Sequence, residues 1–216
     1  MSTRAYYSIG DRCFYIHYDG YPEGAAEYIA AAVEYRTRIN GRDGLTGAFY
    51  RANATAEFAD LPAASDTDAE YHYRIDGGLR ITVQHRQIGG DRWSTEFSGP
   101  LSDWLNATIT DGRTFTEAYG NVVSVQSAIE NAEAELSSAA TRFEQGHLGN
   151  AHGAVGDAWR WIKNVTTADD LRARIIRLDA SMMPSFWKDE CTDVYRWIAI
   201  NCDADRDEID TALSLA

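Results

Sequence analysis

The sequence predicts an α+β fold. An antiparallel sheet of about five strands packed with one or two helices is expected over residues 1–110, followed by an all-helical region over 111–216. Three observations carry this reading. Short runs rich in aromatic and β-branched residues alternate through the first hundred residues, with Gly and Asp clusters between them. From residue 122 onward, apolar residues recur instead at steps of three and four. The composition, 44% apolar and 25% charged in 216 residues, is that of an ordinary globular chain, and no internal repeat is evident.

Residues 4–9 and 12–18 read as an antiparallel hairpin turned at Gly10-Asp11. Asp19-Gly20-Tyr21-Pro22 breaks the second strand, and Pro22, which has no N–H to offer, suits a first helical position. A helix over 23–39 follows, with Ala26, Ile29, Ala30 and Val33 on one face, and Asn40-Gly41 ends it. Residues 45–58 form a second, shorter helix or an irregular crossing, and 61–69 a loop around Pro62. Strands resume at 70–75, 79–85 and 92–97, with turns at Asp76-Gly77-Gly78 and Gly89-Gly90-Asp91. Alternation of Leu79, Ile81 and Val83 fits a sheet covered on one side only. Residues 100–105 close the region as a short helix.

Beyond a loop over 110–120 the pattern is helical. Residues 122–145 carry one apolar stripe, Val122, Val125, Ile129, Ala132, Leu136, Ala139 and Phe143, opposite Glu130, Glu133 and Glu135. A Gly-rich stretch over 146–156 interrupts it, and helix resumes over 158–163. Thr167 is the expected cap of the next helix, with Asp169 and Asp170 in its first turn and Pro184 at its end. Phe186, Trp187, Val194, Tyr195, Trp197 and Ile198 mark another helix. Residues 203–215 form the last, capped by Asp203 or Asp205. Such a stripe must pack on itself, on the sheet or on a second copy, so a homodimer stays open.

Charge narrows the function classes. There are 20 Lys and Arg against 33 Asp and Glu, a formal net charge of −13. The excess is uneven: 10 cations and 15 acids before residue 109, 10 and 18 after it. A negative surface repels phosphate backbones, which argues against direct nucleic-acid binding over a broad face. It leaves two readings, solubility or a basic partner surface. Lys163 and Lys188 are the only lysines, so nearly every cation has the fork geometry of arginine. No apolar run is long enough for a membrane span, and the first residues lack the charged and apolar regions of a signal peptide. A cytoplasmic location is expected. Cys13, Cys191 and Cys202 are too few and too scattered for a disulfide framework or a zinc site.

No catalytic, cofactor or metal residue is assigned. Asp19-Gly20-Tyr21-Pro22-Glu23-Gly24 is the densest motif, and Asp19 and Glu23 beside His17 would suit a pocket. The same residues are what a strand-to-helix turn requires. His17, His72 and His85 lie in strands without the spacing of a compact ligand set, and His147 and His152, five apart, do not share a helical turn. Asp203-Ala204-Asp205-Arg206-Asp207 imitates a calcium loop, but Glu208 stands where the loop needs glycine and Ser214 where it needs glutamate. Cys13, four before His17 in one strand, reads as a small core residue. Trp159 and Trp161 cannot both face inward from one helix; an outward one beside Arg160 and Lys163 suits a protein contact.

Four segments carry a resemblance. Met1-Ser2-Thr3-Arg4, Tyr15-Ile16-His17-Tyr18-Asp19-Gly20-Tyr21-Pro22-Glu23-Gly24, Phe49-Tyr50-Arg51-Ala52-Asn53-Ala54-Thr55-Ala56-Glu57-Phe58 and Glu70-Tyr71-His72-Tyr73-Arg74 resemble a family of small proteins from phages, prophages and other bacterial mobile elements. Members often have arginine where His17 stands. The likeness covers roughly the first hundred residues and not the helical half. It implies a setting among accessory genes and brings no catalytic residue with it.

These readings combine into one expectation. The chain is a non-enzymatic, acidic binding protein of a phage or mobile element, an inhibitor of a bacterial defence system of anti-CRISPR or anti-restriction type. It would dock on a basic protein surface or a nucleoprotein complex of the host. The contact residues are expected on the last helices: Asp189, Glu190, Asp203, Asp205, Asp207 and Glu208, with Trp187 as anchor. Two alternatives stand beside it. One is an enzyme whose cleft is lined by Asp19, Glu23 and His17. The other is a phage structural protein that self-associates.

Overall fold

The computed structural model describes residues 3–38, 44–63, 67–87, 90–183 and 192–214. The chain divides into two compact units, Met1–Phe115 with Asn121–Ser124, and Thr116–Gly120 with Val125–Ala216.

The first unit is built on β1 (Ala5–Ile9), β2 (Arg12–Ile16), β3 (Glu57–Phe58), β4 (Tyr71–Ile75), β5 (Arg80–His85) and β6 (Ser94–Pro100). Among the described residues these form one six-stranded sheet in the order β3-β2-β1-β4-β5-β6. Its helices are α1 (Pro22–Arg38), α2 (Leu45–Ala52) and α3 (Leu101–Thr108).

The expected antiparallel sheet is therefore a mixed one. β1 pairs antiparallel with β2 but parallel with β4, Tyr7 standing opposite Phe14 on one side and Tyr73 on the other. The reason is the connection. The β1–β2 hairpin reverses the chain once, and the long connection through α1 and α2 reverses it again, so β3 and β4 run against β2 and in the direction of β1. The sixth strand is β3, two residues inside the 45–58 segment, pairing Phe14 with Phe58 at the edge. β6 begins later than alternation suggests and runs to Pro100, and the short helix expected over 100–105 is α3, which starts at Leu101 and continues to Thr108.

Alternation decides what the core contains. Ala5, Tyr7, Ile9, Phe14, Ile16, Tyr73, Ile75, Ile81 and Val83 are buried on one face. α1 lies on them through Ala25, Ala26, Ile29, Ala30 and Val33, α2 through Phe49, and α3 through Leu101, Trp104 and Leu105. The small residues of α1 leave room for aromatic rings: Tyr7 stacks on Tyr73 at 5.2 Å and tilts against Phe49 at 5.0 Å. Asn53, 5% exposed, donates to Tyr28 O and Phe49 O and so ties α2 to α1.

The segment read as a loop over 110–120 contains a strand. β7 (Phe115–Ala118) and β8 (Asn121–Ser124) pair with each other in a two-stranded sheet. Tyr119 (φ 52°) and Gly120 (φ 67°) make the turn, both left-handed as a tight hairpin demands. Val122 and Val123 are buried as strand residues, so the long helix α4 starts at Val125 and ends at Glu144.

The second unit continues with α5 (Leu148–Ile162), α6 (Asp169–Ser181), α7 (Thr192–Asn201) and α8 (Arg206–Ser214). The expected break over 146–156 shrinks to residues 145–147, where Gly146 is left-handed (φ 79°), and α5 runs through Gly149, Gly153 and Gly156. Ala151, Ala154, Val155, Ala158 and Trp159 form a continuous buried face, and that packing overrides the glycine cost of about 1 kcal/mol each. Gly156 is also where Asn201 comes closest; a Cβ there would sit 3.4 Å from its side-chain oxygen. Thr167 is not the cap of α6, since the cap position is Ala168, without a side-chain hydrogen bond. At α8 the cap is Asp205, whose Oδ1 accepts from Glu208 N at 2.9 Å. Trp159 is in the core, and Trp161 is half-buried against the Tyr119 ring. Among the described residues, no helix is long and apolar enough to cross a membrane.

Candidate functional site

Of the residues expected to bind a partner, Trp187, Asp189 and Glu190 lie outside the described residues. The other four come together at α8. Asp203, Asp205 and Asp207 are exposed and Glu208 is half-buried. α6 and α8 border an open groove of about 490 Å³, lined by Asp169, Arg172, Asp205, Asp207, Glu208 and Thr211. Arg172 sits between the acids, Nη1 3.2 Å from Asp169 and Nε 3.5 Å from Glu208. The Glu208 carboxyl is pushed up by burial, against the pull of Arg172, and Asp205 and Asp169 push it further. Two carboxylates thus pair with the Arg172 guanidinium, and Asp205 and Asp207 line the same groove. Nearby, Arg206 lies 4.7 Å over the Tyr195 ring, and the Tyr195 hydroxyl donates to Asp210.

A second feature of the helical unit is interior. Asp179 of α6 is fully buried, and its Oδ1 lies 3.2 Å from His152 Nε2 on α5. Trp197 of α7 stacks on the imidazole at 4.1 Å and donates from Nε1 to Asp179 O at 2.9 Å. Asn201 donates to His152 O at 2.9 Å. Burial pushes the Asp179 carboxyl up to about 7, with Asn201 and Trp197 working the other way, and burial lowers His152. Cys202 is buried, and its thiol is pushed far up by desolvation, with Asp179 and Glu208 adding to the effect.

In the sheet unit, the Asp19–Gly24 turn is accounted for by the backbone. Asp19 is exposed with φ 54°, a left-handed conformation that Asp tolerates. Gly20 N donates to Thr3 O, Gly20 O accepts from Tyr73 Oη, and a Cβ at Gly20 would fall 2.7 Å from Arg4 C. A Cβ at Gly24 would fall 2.2 Å from Asp19 O. Both glycines are required by close approach. His17 Nε2 lies 3.5 Å from Glu57, and its ring stands edge-on to Tyr15.

The sheet face away from the helices carries a polar row across four strands. Cys13, Ser8, His72 and Gln84 belong to it. Ser8 Oγ is 2.8 Å from His72 Nε2 and 3.7 Å from Cys13 Sγ. Gln84 stands opposite His72 in register and hydrogen-bonds its ring. His72 is 2% exposed; burial, with Arg74 adding, holds it down to about 4, so it is neutral at neutral pH. Burial pushes the Cys13 thiol up, which keeps it protonated and a weak nucleophile. His85, in register with Tyr71, stands on the opposite face, so the three strand histidines do not converge. Among the described residues, no group of three or more His, Cys, Asp or Glu is arranged to hold a metal ion.

The chain matches no family model, no curated protein and no solved structure.

Two buried groups escaped the sequence reading. Arg86, 3% exposed, donates to backbone carbonyls among the described residues: Thr67 O at 2.7 Å, Ala69 O at 2.8 Å and Gly90 O at 2.9 Å. Nothing local marks it, because its acceptors lie in loops. Asp179 did leave a trace. It continues the buried steps Leu171 and Ile175 at four-residue spacing, a lone carboxylate on an apolar face.

Proposed function

We propose that the protein acts by binding, and that the α6–α8 groove is where a basic partner surface engages it. In the setting that the sequence resemblance implies, the partner is a protein or nucleoprotein complex of a bacterial defence system, and the chain is its inhibitor, of anti-CRISPR or anti-restriction type. The observation that supports the reading is a groove lined by Asp169, Asp205, Asp207 and Glu208, in which Arg172 pairs with Asp169 and Glu208. Like charges held close raise the cost of keeping one another ionised; at Glu208 burial is the larger cause, and Asp205 and Asp169 add to it. An incoming arginine or lysine relieves that repulsion and gains charge-assisted hydrogen bonds. Surface acids at a rim act mainly on encounter rate and partner choice, so binding is expected to weaken with salt.

The test uses the full chain, immobilised and exposed to a host-cell lysate. The comparison is with the double variant Asp203→Lys, Asp207→Lys, which leaves the Asp205 cap in place. A basic protein or nucleoprotein complex retained by the wild type, and released by salt or by the double variant, is the expected result. Equal retention by both proteins, or no basic partner at physiological salt, overturns the proposal.

A further inference from the structure

We propose that His152 and Asp179 hold a single proton between them, and that this proton keeps α7 docked on α5 and α6 as the surroundings turn mildly acidic. The geometry carries the proposal. Asp179 is fully buried, and its Oδ2 has no hydrogen-bond partner among the described residues; the same is true of His152 Nε2. Nε2 and Oδ1 lie 3.2 Å apart, within reach of one shared hydrogen, and Oδ1 otherwise takes only the long contact from Asn201 Nδ2 at 3.5 Å. Without the proton, an ionised carboxylate sits in the interior with at most the one N–H of a neutral imidazole to offset its desolvation.

α7 grips both members of the pair. Trp197 covers the imidazole and holds the Asp179 carbonyl, and Asn201 holds the His152 carbonyl, with its Nδ2 at 3.5 Å from Asp179 Oδ1. Two other cations of α6 are engaged elsewhere. Arg172 of α6 faces Asp169 and Glu208 of α8, and Arg174 of α6 faces Glu133 of α4. Cys202, at the end of α7, stays protonated.

A lone buried histidine would act in the opposite sense. Its lowered affinity for protons means that acid favours any opening that exposes it, so its contribution to docking is present above its ordinary value and lost as pH falls. Asp179 has the reverse linkage. Its raised value makes its contribution complete below the ordinary carboxyl range, and that contribution disappears as pH rises through about 7. In the wild type the two offset. The interior accepts the incoming proton instead of opening to release the histidine.

The experiment is hydrogen exchange of the α7 amides in the full chain, wild type against Asp179→Asn, with rates referred to intrinsic exchange at each pH. The ratio of protection, wild type to variant, is expected to fall at least tenfold from pH 5 to pH 8, because the linkage of one proton allows up to about tenfold per pH unit. A ratio constant within about twofold over that range overturns the proposal. Carbon-13 NMR of the Asp179 carboxyl in the wild type stands independently of how the variant folds. A midpoint near neutrality, matched by a shift of the His152 ring nitrogens, is expected. Titration in the ordinary carboxylate range overturns it.

Discussion

Ser8 Oγ lies 2.8 Å from His72 Nε2, a contact that ties β1 to β4 along the parallel pairing of the sheet. Charging the imidazole would leave Nε2 a donor to Ser8 but would place a cation in the interior. Burial holds His72 down to about 4, while the unfolded chain takes up its proton near 6.5. A depressed value contributes stability that is full above 6.5 and is lost as pH falls toward 4. The sheet unit is therefore expected to lose up to about 3 kcal/mol over that interval from this group. His72→Gln keeps a hydrogen-bonding side chain that does not titrate. Urea unfolding at several pH values from 7 to 4 should show a shallower acid slope in the variant; parallel slopes would remove His72 as the cause.

Arg86 makes a similar demand without titrating. Its guanidinium satisfies three loop carbonyls and lies 5.8 Å from the Trp93 ring, which itself packs on His72 at 5.7 Å. A lysine carries the charge but not the fork, and reaches one or two of those acceptors. Arg86→Lys is expected to cost about 2 kcal/mol and Arg86→Met at least as much, since buried carbonyls left unpaired cost about 1–3 kcal/mol. The urea midpoint at neutral pH measures both. A lysine variant as stable as the wild type would mean that water replaces the guanidinium freely.

How far the fold was legible follows from which forces act locally. The hairpin β1–β2, the face of α1 and the apolar stripe of α4 were readable because periodicity encodes burial directly. The parallel β1–β4 pairing was not, because register between distant strands is set by packing of the crossover helices and leaves no local mark. At α5 local propensity pointed the wrong way: Gly149, Gly153 and Gly156 read as a break, and tertiary burial of the alanine face outweighs them. The acids of α8 were legible as a cluster, but Arg172 in their midst belongs to another helix and could not be placed among them. Arg86 and the His152–Asp179 pair depend on loops and on three helices meeting, which spacing along the chain does not report.

The glycines of the molecule separate into two kinds, and alanine scanning should tell them apart. At Gly24 a Cβ would meet Asp19 O at 2.2 Å, and the obstacle is backbone that cannot swing aside. Gly24→Ala is expected to destabilise by roughly 3 kcal/mol or to prevent folding of the turn. Gly153 is exposed inside α5 with nothing within 4 Å of an added Cβ. Gly153→Ala is expected to stabilise by roughly 0.5–1 kcal/mol through helix propensity. Thermal unfolding of both variants checks the signs. A stabilising Gly24→Ala would show that the Asp19–Gly24 turn has room that the close approach denies.

Asp205 is asked to do two things, and they can be separated. Its Oδ1 caps α8 by accepting from Glu208 N at 2.9 Å, and its charge adds to the acidic groove. Removing the side-chain oxygen with Asp205→Ala is expected to cost about 1 kcal/mol, the usual loss for a cap. Asp205→Asn keeps an acceptor oxygen for the cap and removes the negative charge, so its melting temperature should stay near that of the wild type. If the groove works through charge, the asparagine variant nonetheless binds a basic partner more weakly, and its retention becomes less sensitive to salt. An alanine and an asparagine variant that lose stability alike would show that the cap itself depends on the charge against the helix N-terminus. Unchanged binding by a fully stable asparagine variant would take Asp205 out of the contact and leave it as a cap alone.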